Sequence, residues 1–395
     1  MNAPLNNAIA AMLPDLVALR HDLHRHPELM YEVPRTAGIV AAQLRACGFD
    51  AVIEGVGRTG VLGILHGAAG PADGPDRRVL FRADMDALPI QEAGGGDHAS
   101  TVPGRMHACG HDGHTVMLLG AARRLAETRA FDGTLVFCFQ PAEEGGAGAQ
   151  AMIDDGMLDR FPVKAAFGVH NTPGLPVGQF GVARGAALAS SNSLLITVDG
   201  TGGHAAEPHK ARDPIVAAAQ IIGAVQTIVS RVVDPLQPAV VSITSIHAGD
   251  AFNVIPDSVE MRCNIRTFSE SVAATVLAEL RRICAATGEA HGVRVRLDQP
   301  SITPYPPTVN DRAQTDHAVA AMRTVAGSEH VHDALKPVMA SEDFAFVLRR
   351  VPGAFIFIGN GDTAAVHNPA YDFNDAAIPY GVAYWTELAK QVLPA

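Results

Sequence analysis

Apolar strand patterns alternate with helical patterns along the first half of the chain. The stretches GVLGILHG, RVLFRAD, TLVFCFQ and AAFGVHN are short and largely apolar, whereas HDGHTVMLLGAARRLAET repeats apolar residues at helical spacing, as do two patterns within residues 9–48. Strands that lack polar alternation are buried on both faces of a sheet. This order predicts an α/β fold in which helices cover a sheet on both faces.

The pattern changes near residue 187. From there SNSLLITVDG, AVVSITSIHAG, SVEMRCNIRTF and VRVRLDQ read as strands, and two long apolar helical patterns fall between the first and second and between the third and fourth. This βαββαβ order is that of a ferredoxin-like domain. We predict a catalytic domain formed by residues 1–186 and 301–395, with an inserted domain at 187–300.

Composition excludes several classes of protein. With 48 % hydrophobic residues, the chain is too apolar to be disordered, and its net charge of −11 argues against a nucleic-acid partner. We see no apolar stretch of the ~18 residues that a membrane span needs and no signal-peptide pattern. Five widely spaced cysteines without a CxxC pair favour reduced thiols. We expect a cytoplasmic protein with no membrane partner.

The segment MHACGHDGH is the most informative for chemistry. His107, Cys109, His111 and His114 fall within eight residues, immediately before a helical pattern. Imidazole and thiolate are the ligands that zinc-like ions prefer, so this cluster favours a metal site over structural histidines. Cys109 and His111 would point to the same side of an extended turn. Asp112 and His114 could instead cap the following helix.

The segment QPAEEGG places two adjacent carboxylates, Glu143 and Glu144, after an apolar strand. Taken alone, the pair fits a solvated turn equally well. Beside a metal cluster the two glutamates gain separate tasks, since one can bind an ion while the other takes a proton from the attacking water. The following glycines do not form a phosphate loop, because no GK[ST] follows.

Further candidate residues follow other strands. In the catalytic domain they are Asp84, Asp86, His170 and His367, and in the inserted domain His204, His209, Asn253 and Arg266. Ligands of open α/β sheets bind at the carboxyl ends of the strands, where the first group is expected. The Arg266 guanidinium suits a substrate carboxylate, although an exposed strand arginine is the simpler interpretation.

Seven motifs in order resemble a known family. RADMDALP, HACGHDGH, QPAEEG, GGHAAEPH, NVIPD, SEDF and HNPAYDFND are similar to the hippurate hydrolase and indole-acetyl-amino-acid hydrolase branch of the aminoacylase/carboxypeptidase metallo-amidohydrolases. The resemblance covers nearly the whole chain, from LHRHPEL onward. It implies a zinc-peptidase-like α/β domain that holds two divalent metal ions, and an inserted lid domain that also dimerises.

Carried over position by position, the resemblance implies roles for individual residues. The implied metal ligands are Cys109, His111, Glu144, His170 and His367. Glu143 becomes the general base, and Asp84 and Asp86 become supports of the ligands.

In the lid domain, the resemblance implies that His204 reaches a neighbouring subunit's site and stabilises the oxyanion. Asn253 and Arg266 hold the substrate's carboxylate.

The resulting hypothesis is a metal-dependent amidohydrolase that cleaves N-acyl-amino acids, such as N-benzoyl or N-acetyl conjugates, to a carboxylic acid and an amino acid. The expected cofactors are two divalent ions per subunit, and zinc, manganese, cobalt and nickel all suit the ligands. The expected assembly is a homodimer or higher homo-oligomer through the lid. A dipeptidase or a hydrolase of bulky conjugates would use the same residues. A non-catalytic metal-binding protein is a weaker alternative, because it would not need the second glutamate.

Overall fold

A computed structural model describes residues 7–71, 74–94, 96–300 and 302–395. The chain forms two compact units. The first unit comprises Met1–Ala187, Val309–Lys336 and Asp343–Ala395, and the second comprises Leu188–Thr308 and Pro337–Glu342.

The second unit therefore includes more of the chain than the predicted insertion at 187–300. Ser191 and Tyr305 exchange two backbone hydrogen bonds of 2.9 Å, which keep the segment after residue 300 with the second unit. The backbone N–H of Ala189 donates to the carbonyls of Val338, at 3.2 Å, and Ala340, at 2.8 Å. Such long-range backbone pairing leaves no local sequence signature, so strand patterns alone miss it.

The helices and strands have the following bounds. In the described residues the α-helices are α1 (Asn7–Arg25), α2 (Pro34–Ala46), α3 (His111–Thr128), α4 (Gly148–Asp154), α5 (Met157–Arg160), α6 (Pro214–Thr227), α7 (Glu270–His291), α8 (Arg312–Ala326), α9 (Ala345–Leu348) and α10 (Ile378–Val392). The strands are β1 (Ala51–Val56), β2 (Gly60–His66), β3 (Arg78–Asp84), β4 (Thr134–Gln140), β5 (Ala165–Thr172), β6 (Phe180–Gly181), β7 (Ala186–Leu188), β8 (Asn192–Asp199), β9 (Gly203–His204), β10 (Ala239–His247), β11 (Val254–Ile255), β12 (Ser258–Thr267), β13 (Arg294–Asp298), β14 (Thr308–Val309), β15 (Val331–His332) and β16 (Gly353–Gly359).

The first unit is built on a mixed sheet whose described strands run in the order β1-β2-β4-β3-β5-β16-β6-β15. The central strands β4, β3, β5 and β16 are parallel, and β1 and β2 join them as an antiparallel edge. All seven residues of β4 are buried, as expected of a strand covered on both faces. The predicted α/β sheet is confirmed.

Aromatic packing connects this sheet to its helices. The rings of Phe81, on β3, and Trp385, on α10, lie 4.8 Å apart, and Phe81 also contacts Phe137 of β4 edge to face. Helix α10 in turn packs against α3 and α8. Because β3 and α3 share this core, the chain between them, which carries residues 106–110 of the MHACGHDGH segment, begins and ends on fixed elements.

The second unit has the predicted βαββαβ order. Strands β10, β12, β8 and β13 form an antiparallel sheet in that spatial order, and helices α6 and α7 pack together against it. Asp213 caps α6 by accepting a 2.9 Å hydrogen bond from the backbone N–H of Ile215. The expected ferredoxin-like fold is confirmed.

Helix α6 corrects one expectation from the sequence. It continues through a π-helical turn, Ile228–Val232, so that residues Pro214–Val232 have the length and the mean hydropathy, 1.6, to cross a membrane by those two criteria alone. The prediction that no apolar stretch is long enough was therefore wrong, because two glutamines and a glycine do not interrupt this helix. One side of α6, with Ala217, Ile221 and Val225, is buried in the second unit's core.

Candidate metal centre

The carboxyl ends of the central parallel strands meet at one edge of the first unit's sheet. Asp84 ends β3, Gln140 ends β4 just before the glutamate pair, and His170 lies near the end of β5. His367 follows β16, and its backbone N–H donates to the carbonyl of Ala108 at 2.7 Å, next to Cys109. Five separate parts of the sequence thus converge at this edge, where α/β folds bind ligands.

Gly110 sets the geometry between Cys109 and His111. Its φ of +88° is left-handed, and a Cβ there would lie 2.3 Å from Asn171 Nδ2 and 2.5 Å from the Tyr371 hydroxyl. Only glycine fits this position. Cys109 and His111 do point to the same side, since their donor atoms lie within 4.8 Å of each other, but the turn between them is left-handed and not extended as predicted. Helix α3 instead begins at His111, directly after a left-handed glycine.

The structure brings together all five predicted metal ligands. Their donor atoms fall into overlapping groups in which all atoms lie within 4.8 Å of one another. Three of these groups are Cys109–His111–His170, Cys109–Glu144–His367 and His111–Glu143–Glu144, the last of which includes the predicted base. Individual distances are 3.3 Å from Cys109 Sγ to His170 Nε2 and 3.4 Å from His367 Nε2 to Glu144 Oε1. Since Cys109–His111–His170 and Cys109–Glu144–His367 have only Cys109 in common, the set offers donors to more than one ion. The ligand roles themselves stay a prediction.

Polar atoms that lack a hydrogen bond at this site fit a cation. Both ring nitrogens of His111 and the Oε1 atom of Glu144 are buried without a hydrogen-bond partner among the described residues. Buried polar groups are nearly always paired, so such atoms call for an explanation. A thiol, imidazoles and a carboxylate are the donor set of zinc-like divalent ions. The residues present therefore fit the metal that the sequence predicts.

The electrostatics of the site also call for positive charge. Burial lowers the pKa of His111, but Asp84, Asp86 and Glu144 outweigh this effect and raise it to about 10. Burial and the charges of Glu144 and Glu143 hold the pKa of the Cys109 thiol well above its ordinary value. The carboxylates thus make a strongly negative environment, which a divalent ion would neutralise while it favours the thiolate.

His114 is held by hydrogen bonds on both sides of its ring. Its Nδ1 lies 2.6 Å from Asp84 Oδ1, and its Nε2 accepts the backbone N–H of Asn171 at 2.9 Å. With both nitrogens engaged, His114 supports the site rather than binding an ion.

The alternative in which Asp112 and His114 cap α3 is also wrong. The N-cap residue of α3 is Gly110, which has no side-chain cap. Asp112 instead lies 2.8 Å from the Nδ1 atom of His24, in the N-terminal helix α1.

Asp86 holds the segment that carries the two glutamates. We call residues 141–148 the glutamate loop. The two oxygens of Asp86 accept the backbone N–H groups of Glu143, at 2.9 Å, and Glu144, at 3.1 Å. One carboxylate thus fixes the backbone of both the predicted base and the predicted ligand.

A buried hydrogen-bond network around Arg82 also supports the glutamate loop. Arg82 donates to Asp84 Oδ2 at 2.6 Å, to Gln140 Oε1 at 2.8 Å and to Asp343 Oδ1 at 3.1 Å. The backbone N–H of Asp343 donates to Glu143 Oε1 over a long 3.4 Å. Arg82 therefore connects the support of His114 with the surroundings of the predicted base.

The second unit carries the remaining predicted residues. His204, on β9, pairs with Val254 of β11, and the carbonyl of Asn253 accepts the backbone N–H of Ala205 at 3.0 Å, so His204 and Asn253 are neighbours. Arg266 lies on β12 and donates to Asn264 Oδ1 at 2.8 Å. His204, His209 and Asn253 are exposed on this unit. Their predicted roles, and that of Arg266, stay predictions.

Sequence reasoning missed several residues that organise the centre. They are Arg82, Gln140, Asn171, Asp343 and Tyr371. For Arg82, Gln140 and Asn171 the available signal was a charged or amide side chain within an apolar strand, because such groups are buried only when they are paired. Asp343 and Tyr371 lie outside the strands and carried no such signal. Several of the partners, such as Asp343 for Arg82, lie far away in the sequence.

Comparisons with known proteins identify the family of this chain. Residues 80–391 match Peptidase family M20/M25/M40. The chain is 39 % identical to a hippurate hydrolase of Campylobacter jejuni subsp. jejuni, over 95 % of this chain and 96 % of that protein. It is 39 % identical to an N-acetylcysteine deacetylase of Bacillus subtilis, over 96 % of this chain and 97 % of that protein.

A solved structure is similar over almost the whole chain. The YXEP protein of Bacillus subtilis, described as a dinuclear metal binding peptidase from the M20 family, superposes with a TM-score of 0.83 and 34 % identity, covering 97 % of this chain and 99 % of that one. With its match to the family, its near full-length relatives and its cluster of buried metal donors, the chain belongs to Peptidase family M20/M25/M40.

Proposed function

We propose that this protein is a metal-dependent amidohydrolase that cleaves the amide bond of N-acyl-amino acids. The observation that carries the proposal is a buried set of thiol, imidazole and carboxylate donors beside a second glutamate, Glu143. A protein that only binds metal has no need of that second carboxylate. Relatives named for hydrolysis of hippurate and of N-acetylcysteine support an N-acyl-amino acid as substrate.

Five residues would hold the cofactor. They are Cys109, His111, Glu144, His170 and His367. We propose two divalent ions per chain, drawn from zinc, manganese, cobalt and nickel, because the donors are borderline in softness. When bound, such ions polarise the amide carbonyl and acidify the attacking water.

Glu143 acts as the general base. Its side chain is buried, its backbone is held by Asp86, and its Oε1 faces the backbone N–H of Asp343. It takes a proton from the water that attacks the amide carbon and later delivers that proton to the nitrogen of the departing amino acid. Glu144, the next residue, has a different task because its carboxylate lies with His111 and His367.

The second unit recognises the substrate's charged end. Arg266 is half-buried and presents a planar fork of donors, which suits a carboxylate. Asn253 assists it, and His204 stabilises the oxyanion of the tetrahedral intermediate. Recognition of a free carboxylate would restrict cleavage to amides of a C-terminal amino acid.

We further propose a homodimer through the second unit. Large apolar side chains are exposed along α6 and its π-helical extension, and on the edge strand β10: Ile215, Val216, Val229, Val232, Val240 and Ile246. Exposed apolar residues next to an open strand edge favour association with a second copy. Two-fold symmetry would let each chain lend His204 to the other chain's site.

Subunit complementation tests whether His204 acts in the other chain's site. Glu143→Ala and His204→Ala proteins, each nearly inactive, are mixed under conditions that exchange subunits. Random exchange makes half of the dimers mixed, each with one complete site of two, so about a quarter of the parent activity should return. If verified exchange restores nothing, His204 acts within its own chain or not at all.

Substrate specificity decides the function itself. The metal-loaded protein is assayed with hippurate, N-acetyl-amino acids, indole-acetyl-amino acids and dipeptides, and the released amino acid is quantified by mass spectrometry. Highest kcat/KM on an N-acyl-amino acid supports the proposal, whereas preference for dipeptides would assign a dipeptidase. No hydrolysis by metal-loaded protein would overturn it. The cytoplasmic location stays a prediction from the sequence.

A further inference from the structure

The segment around Met30 and Tyr31 contacts the glutamate loop directly, although its motif, LHRHPEL followed by MYE, has no assigned role. The Met30 carbonyl accepts the backbone N–H of Ala142 at 3.1 Å. The Tyr31 hydroxyl donates to the carbonyl of Gly146 at 2.7 Å. These two hydrogen bonds reach the loop on either side of the glutamate pair.

The backbone on both sides of this contact is strained. Met30, Ala142 and Ala147 are non-glycine residues with φ of +54°, +55° and +56°. Side chains disfavour this left-handed region, so such conformations persist only where surrounding contacts impose them. A Cβ on Gly146 would lie 2.7 Å from the Cβ of Ala142 and 3.0 Å from the Cε of Met30. The loop is therefore packed tightly against this segment.

The segment is itself anchored on neighbouring elements. The Glu28 carbonyl accepts the backbone N–H of Ala87 at 2.8 Å, just after Asp86. The Glu28 carboxylate caps α2 by accepting the backbone N–H groups of Arg35, at 3.1 Å, and Thr36, at 2.8 Å. The Tyr31 carbonyl accepts the Thr59 hydroxyl at 2.8 Å. A support that is fixed at both ends can restrain a strained loop.

We propose that Tyr31 is a positioning residue, whose hydroxyl holds the glutamate loop in the conformation that aims the Glu143 carboxylate. The proposal rests on the proposed function in giving Glu143 the role of base. Gly146 lies three residues after Glu143 within one closed turn, because the N–H of Gly148 donates to the carbonyl of Ala142 at 3.1 Å. Without the hydroxyl, the Gly146 carbonyl turns toward solvent and the carboxylate samples unproductive positions. Proton transfer depends on hydrogen-bond reach, so turnover falls while substrate binding does not.

The test compares Tyr31→Phe with a matched control, Tyr384→Phe. Tyr384 is buried in α10, and its hydroxyl has no hydrogen-bond partner among the described residues. Four quantities are measured for each protein: kcat and KM on the preferred N-acyl-amino acid, bound metal per chain, melting temperature, and amide hydrogen exchange of peptides that cover 142–148. Exchange is followed both with and without metal, which makes this measurement independent of activity.

The expected result for Tyr31→Phe is a fall in kcat of about fivefold, as for the loss of one hydrogen bond. Its KM and metal content stay within twofold of the parent values, and exchange accelerates in 142–148 alone. Tyr384→Phe matches the parent throughout.

The proposal is overturned if amide hydrogen exchange in the glutamate loop of Tyr31→Phe is unchanged. It is also overturned if that exchange is faster but kcat is unchanged. Accelerated exchange throughout the chain overturns it too, because that marks a general stabilising role. If the parent hydrolyses none of the tested amides, the proposed function fails by itself, and loop exchange still decides whether Tyr31 holds the loop.

Discussion

The two units present their polar residues in opposite ways. In the first unit, strand ends bring Cys109, His111 and Glu144 together, and these residues are buried among supporting hydrogen bonds. In the second unit, His204 and Asn253 are neighbours on an exposed surface, where His204 Nδ1 accepts a local hydrogen bond of 3.1 Å from the backbone N–H of Ala206. The first arrangement preorganises a reaction centre, whereas the second suits residues that meet a ligand or a partner.

Metal removal gives the largest expected effect and depends on the first unit alone. Chelation should abolish activity, and added divalent metal should restore it, because the proposed reaction depends on the bound ions. Cys109→Ser should lower retained metal, since a hydroxyl is rarely ionised at neutral pH. His209→Gln, in the second unit, is the control and should retain metal fully. Metal analysis showing full occupancy and full activity in Cys109→Ser would contradict the ligand assignment.

The two adjacent glutamates of the first unit have different predicted roles, which their variants can separate. Glu143→Gln should lower kcat by about 10²- to 10⁴-fold with unchanged metal content, because the proton acceptor is lost. Glu144→Gln should chiefly lower the bound metal. Both variants are assayed for turnover and for metal per chain. The reverse pattern would mean that the two roles are exchanged.

Two ion-paired arginines should contribute differently to stability, because one is buried in the first unit and the other is exposed in the second. Arg82 is buried against Asp84 and Asp343, so Arg82→Met leaves two carboxylates without their cation. The free energy of unfolding, measured in urea, should fall by about 3–5 kcal/mol. Arg296→Met removes an exposed pair with Asp199 in the second unit and should leave the unfolding midpoint unchanged. Similar losses in the two variants would refute this contrast.

An Arg266 variant tests whether the second unit recognises a carboxylate, and its expected effect is the smallest of these four predictions. Arg266→Ala should raise KM for an N-acyl-amino acid relative to the matching N-acyl-amino amide. A charge-assisted hydrogen bond is worth about 1.5–3 kcal/mol, or roughly 10- to 150-fold in that ratio. Steady-state kinetics on the acid and the amide give the ratio directly. Equal losses on both substrates would show that Arg266 does not bind the anion.

Local patterns were sufficient for most elements of the fold. The helical pattern HDGHTVMLLGAARRLAET coincides with α3, and the βαββαβ order appears in the second unit because each strand and helix carries its own periodicity. The expectation that no apolar stretch reaches the length of a membrane span was wrong, because isolated glutamines interrupt neither α6 nor its π-helical turn. Nothing in the local sequence indicates that residues 337–342 belong to the second unit.

For the site, local sequence is enough to identify the residue types available: a cysteine, histidines and paired glutamates placed at strand ends, in motifs that resemble one family. How these residues are held depends on contacts between distant parts of the chain. Arg82 meets Asp343, and Tyr31 meets Gly146, across separations of more than a hundred residues, with Asp86 beneath both glutamates. Such contacts form where strand ends converge and buried polar groups must find partners, and no periodicity along the chain records which partner each one finds.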